Sequence, residues 1–124
     1  MKYLLAAAAL LAIIFAGGAI TSHAFGAGPN GDPVLPPARY DHLYTDGELI
    51  VIQVESMEEM ARACYPAPNA YRLVGCQFFQ KFDCLIFIAP DSYIKRFARY
   101  GITFDTVFRH ERAHCVGWPR DHPP

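Results

Sequence analysis

The sequence contains no run of lysines or arginines, no C-x-x-C pair and no internal repeat, and each absence removes a class of function. Eleven Lys and Arg stand against twelve Asp and Glu, a formal net charge of −1, so the chain has no basic footprint for nucleic acid. Without C-x-x-C pairs, the four cysteines do not read as a structural zinc knuckle or a thioredoxin-type redox motif. No unbroken apolar run reaches the roughly twenty residues that span a bilayer. The longest, Tyr3 to Ala16, follows Lys2 and precedes glycines.

That run has the form of an export signal. Lys2 is the basic start, Tyr3 to Ala16 the apolar core and Ser22-His23-Ala24 a small-x-small cleavage site. Residues 1–24 are therefore read as a signal peptide, with Phe25 as the first mature residue. No cysteine lies near the cleavage site, which argues against a lipid anchor. A secreted or periplasmic location in a bacterium follows, with no stable membrane insertion after cleavage. The remaining chain, about 100 residues, makes one small domain whose core needs help from cross-links or a metal. Cys64, Cys76, Cys84 and Cys115 are an even set suited to two disulfides. Of three possible connectivities, Cys64 with Cys76 and Cys84 with Cys115 is preferred. The first closes a short loop, and the second would pin the last helix to a core strand.

Residues 25–43 carry four prolines and three glycines and read as an extended arm, a tether or strap laid over the domain. A blocking pro-segment is the alternative. The folded domain is expected over residues 44–124. Leu49-Ile50-Val51-Ile52 and Val54 predict a buried strand, and Ser56 with Glu59 a capping box opening a short helix through Cys64. Prolines make 65–69 a loop. Ala70 to Gln80 and Lys81 to Ala89 predict two paired strands. Asp91 or Ser92 is expected to cap a helix reaching about Tyr100. After Gly101, Thr103 or Asp105 caps the last helix. The expected fold is α+β, a small three- or four-stranded sheet packed against a C-terminal helix.

That helix carries His110-Glu111-Arg112-Ala113-His114. One turn apart, His110 and His114 present two imidazoles to one ion, and Glu111 between them can take a proton from a bound water. At 100° per residue Glu111 falls in the apolar arc of Phe104, Val107, Phe108 and Cys115, away from Arg109 and Arg112. A carboxylate there is costly without a task. Gly117 and Pro119 end the helix.

His110-Glu111-x-x-His114-x-x-Gly117 resembles the signature of zincin metallopeptidases. Gly117-Trp118-Pro119-Arg120-Asp121-His122 resembles, with one extra residue, the ligand-bearing run of small secreted snapalysin-type enzymes. The resemblance implies a Zn2+ cofactor, His110 and His114 as ligands, Glu111 as general base, and a third ligand from Asp121 or His122. Arg120 occupies the family's usual third-ligand position, and arginine cannot ligate zinc. His122 is preferred, since imidazole is the commoner partner, leaving Asp121 to orient a ligand. The methionine turn of metzincins has no counterpart after His122; Met57 and Met60 lie upstream.

A reduced zincin fold would offer a sheet edge to an extended peptide, here the strand from Ala70 to Gln80. Tyr65, Tyr71, Tyr93 and Tyr100 are candidates for oxyanion stabilisation, and Trp118 is read as a lid over the helix end. The leading functional reading is a secreted zinc metallohydrolase, a peptidase acting on a peptide or protein, including cell-wall peptide. A non-catalytic zinc module and a disulfide-stapled envelope binding or assembly protein are the alternatives.

Overall fold

The computed structural model describes residues 27–29 and 31–124. The signal-peptide reading of residues 1–24 lies outside the described residues.

Among these, three strands form one mixed sheet in the order β1-β3-β2. Strand β1 (Leu49–Gln53) runs parallel to β3 (Asp83–Ile88), and β2 (Gly75–Gln80) runs antiparallel to it. Lys81 and Phe82 form the β2–β3 turn, with Lys81 at φ 59°. Strand β3 is central and alternates in burial, with Cys84, Ile86 and Ile88 fully covered. Its period-2 pattern puts these three on one face, opposite Phe79, Gln77 and Gly75 of β2 in register.

Helix α3 (Phe104–Cys115) covers that face, and the Cys84–Cys115 disulfide fastens it there. Cys76, on the opposite face of β2, joins Cys64 at the end of α1 (Met57–Ala63). Each disulfide thus fixes one helix to one side of the sheet. Ser56 Oγ accepts from Glu59 N at 3.2 Å, while Glu59 accepts from the amide of Glu55 rather than that of Ser56.

Four expectations are corrected. The segment Ala70–Arg72 is a 3-10 turn entered through left-handed Asn69, so the strand begins only at Gly75. Strand β1 is an edge, and Val51 and Ile52 are exposed rather than buried. The helix after the sheet is a single α turn, α2 (Asp91–Ile94), continuing as 3-10 over Lys95–Tyr100. Neither Asp91 nor Ser92 caps it: the N-cap is Pro90, and Asp91 accepts a hydrogen bond from Gln53.

The proline-rich segment crosses the outside of α3. Val34 is buried, Ala38–Tyr40 forms one 3-10 turn, and Asp41 bridges Arg109 and Arg112. Arg39 donates to the carbonyl of Pro124.

Candidate metal centre

Helix α3 is fixed at both ends by local chemistry. Thr103 Oγ1 accepts from Thr106 N at 3.2 Å, and Thr106 Oγ1 accepts from Thr103 N at 2.8 Å, so Thr103 rather than Asp105 is the cap. At the other end Gly117, at φ 104°, donates to His114 O at 3.2 Å, and Trp118 N donates to Ala113 O at 2.9 Å. This double bond pattern needs a left-handed residue after the helix, which glycine adopts without strain. The chain turns back at once: His122 N donates to Pro119 O at 3.0 Å, with His122 itself at φ 54°. The reversal brings His122 over the helix face that carries His110 and His114.

The three histidines offer one ligand atom each within 4.8 Å of one another, so together they could hold a metal ion. His114 Nε2 and His122 Nε2 are 3.2 Å apart. Two nitrogens each bound at about 2.0–2.1 Å in a tetrahedral site lie roughly 3.3–3.4 Å apart, so this edge fits zinc-like coordination. The outer nitrogens fit as well. His110 Nδ1 faces Val34 O at 3.3 Å and His114 Nδ1 faces Trp118 O at 2.7 Å. Carbonyls only accept, which assigns the proton to Nδ1 in both rings and leaves the Nε2 lone pairs directed inward. His122 Nδ1 faces the Asp32 carboxylate at 3.6 Å. Converging lone pairs repel one another unless a cation joins them.

Burial, reinforced by the neighbouring His114 and His122, pushes His110 down to about 4. Burial also lowers His114, against the opposing pull of the Trp118 carbonyl. Both rings are thus neutral near pH 7, the form that ligates a metal. Trp118, 2 % exposed, stacks on His114 with ring centroids 5.1 Å apart and packs against His110 and His122 at 5.0 and 4.8 Å. It covers the end of the helix and packs against the three rings without lining the cleft on which they open.

That cleft, about 720 Å³, lies between α3, the start of β2 and the segment carrying Gly28, Pro29 and residues 32–34. The three histidines, Glu111 and Arg120 line it. Glu111 is only 8 % exposed, and its carboxyl is pushed up to about 8 by burial, with Arg120 pulling the other way. Room for it exists because residue 75 is glycine: a Cβ there would lie 2.7 Å from Glu111 Oε1.

Of the residues singled out in the sequence, His110, Glu111, His114 and His122 meet at this cleft. Asp121 is exposed and lies outside the histidine cluster. The carboxylate behind His122 comes instead from Asp32. Tyr65, Tyr71 and Tyr100 do not line the cleft; Tyr93 does, with its hydroxyl donating to Arg72 O at 3.2 Å. Asp32 and Gly75 carried no local pattern tying them to the motif, and Arg120, which stands within the run after the helix, was set aside there only as a residue that cannot ligate zinc. Their only signal is proximity after folding. Comparison with protein-family models, curated proteins and solved structures finds no match to this chain.

Proposed function

We propose that the protein is an exported zinc-dependent hydrolase of amide bonds, a small zincin-like peptidase, with His110, His114 and His122 holding the metal and Glu111 acting as general base. The observation that supports this most is Glu111. A carboxylate this buried, with no salt-bridge partner among the described residues, is costly, and it faces the same cleft as three metal-competent imidazoles. Two disulfides are compatible with an extracellular or otherwise oxidising compartment.

Zinc, when bound, supplies a Lewis acid for a carbonyl and lowers the pKa of a water. The chain's own groups do the rest. The three imidazoles, all lining the cleft, would hold the ion. A Glu111 carboxylate oxygen takes the proton of the attacking water and hands it to the leaving amine. Arg120 faces the developing negative charge from the same cleft. Val107 packs beside Glu111, and burial among such neighbours raises the carboxyl and so favours a group able to accept a proton.

Glu111→Gln tests this reading. The variant is expected to retain one zinc per molecule and to lose turnover of peptide or cell-wall crosslink substrates by about 10²–10⁴-fold. A zinc-loaded parent that cleaves no such substrate, or a variant as active as the parent, would overturn it. A non-catalytic zinc module is the second reading, favoured by the contact of the proline-rich segment with two of the three histidines. It predicts unchanged function in Glu111→Gln.

A further inference from the structure

We propose that the N-terminal strap is the outer shell of the metal centre: Asp32 is the positioning residue for His122, the Val34 carbonyl holds His110, and metal and strap therefore bind cooperatively. This rests on the three-histidine site, but not on catalysis.

Metal-ligating histidines commonly pass their second ring N–H to a carbonyl or carboxylate, which fixes the ring and raises its basicity. His114 finds its acceptor locally, at Trp118 O. The other two reach across the sequence to acceptors two residues apart in one extended segment, Val34 O at 3.3 Å and Asp32 Oδ1 at 3.6 Å. The latter is an ion-pair distance, longer than a hydrogen bond. Asp32 is itself held by a turn, in which Gly28 N donates to Asp32 O at 2.7 Å and Gly31 N to Gly28 O at 3.0 Å. Further along, Asp41 grips Arg109 and Arg112 on either side of His110, so the strap's register along α3 is set at both ends.

The strap orients the ligands and does not cap the ion. Asp32 meets the outer nitrogen of His122, and its carboxylate is not among the clustered ligand atoms. Gly28, Pro29 and residues 32–34 of the strap line one side of a cleft that still measures about 720 Å³. Coupling between sites is reciprocal, so whatever the docked strap adds to zinc affinity, zinc adds to strap docking. Loss of an outer-shell partner costs about 10–100-fold in metal affinity. Asp32 is 64 % exposed, which places the expected loss near the lower figure.

The test is competitive zinc titration against a chromophoric chelator on the mature chain, beside Asp32→Ala, Asp32→Asn, Asp32→Glu and Asp121→Ala. Amide exchange of Gly31, Asp32, Val34 and Leu35 is followed with and without zinc. Asp32→Ala and Asp32→Asn should each bind one zinc about tenfold more weakly, Asp32→Glu should recover part of the loss, and Asp121→Ala should match the parent. Zinc should slow exchange in the strap of the parent, and less so in Asp32→Ala. Affinity unchanged by Asp32→Ala, or strap exchange indifferent to zinc, overturns the proposal while leaving the metal site standing. A parent that takes up no zinc overturns both.

Discussion

At Gly75 the site depends on an atom that is missing. A Cβ would lie 2.7 Å from both Glu111 Oε1 and Val107 Cγ1 and 2.9 Å from Glu111 Cγ, closer than such contacts allow. The helix is pinned by its disulfide, so the Glu111 side chain is what yields. Gly75→Ala should destabilise the protein by about 1–3 kcal/mol and, on the proposed function, lower hydrolysis more than metal affinity, because the atoms nearest the new methyl belong to Glu111 and Val107 and not to an imidazole. Thermal unfolding and zinc titration on the same variant measure the two effects; equal losses in both would show that the helix, not Glu111, had moved. Glu111 itself was legible, since helical phase alone puts it between Val107 and Cys115, and it is buried there. Gly75 was not, because nothing local distinguishes a glycine that makes room from one that merely begins a strand. The choice between Asp121 and His122 was likewise a matter of the turn at Pro119, which swings His122 inward and leaves Asp121 in solvent.

Elements with a strong local pattern were legible, and those depending on a neighbour were not. Helix α3 follows from its helical spacing and its cap, and strand β3 from a short run of aliphatic and aromatic residues, both local in sequence. The exposure of β1 could not be read from its apolar run, because a run of Leu, Ile and Val does not say whether a further strand or helix will cover it. Ala70–Arg72 shows the same limit: left-handed Asn69, after two prolines, bends the chain before a strand can start. The disulfides give these elements different roles. By loop length alone, Cys84–Cys115, separated by 31 residues, is worth about 4 kcal/mol, and Cys64–Cys76, separated by 12, about 3 kcal/mol. Only the first holds α3, which carries His110 and His114. Replacing both Cys84 and Cys115 by Ala should therefore weaken zinc binding as well as stability, whereas the Cys64/Cys76 double variant should lose stability alone. Urea unfolding with zinc titration on each pair checks this, and zinc affinity equally affected in both would mean that α3 is not held through its own disulfide.

A domain this small is completed by what lies across it. The strap returns over α3, Arg39 meets the terminal Pro124, and Asp41 sits between Arg109 and Arg112, joining the two ends of the described chain. The hydrogen bond from Arg109 holds the Asp41 carboxyl below its usual range, with the Arg112 hydrogen bond and both positive charges acting in the same direction against the opposing effect of burial. Asp105 shares Arg109 from the solvent side at 3.9 Å. A carboxyl depressed in the folded state adds stability that is full above its unfolded pKa, about 3.9, and is lost as pH falls through the lower folded value. Arg112 is 13 % exposed, and its Nε has no hydrogen-bond partner, so removing the carboxylate leaves a largely buried cation with less still. Asp41→Asn should cost about 1–3 kcal/mol at pH 7. The gap between parent and variant should begin to close below about pH 4 and be lost once the folded parent's carboxyl protonates. Urea unfolding of metal-free protein between pH 3 and 7 on both chains resolves this. A gap that persists undiminished at the acid end would mean that the amide substitution loses packing rather than charge, and no gap at pH 7 would mean that the strap is not held by this ion pair.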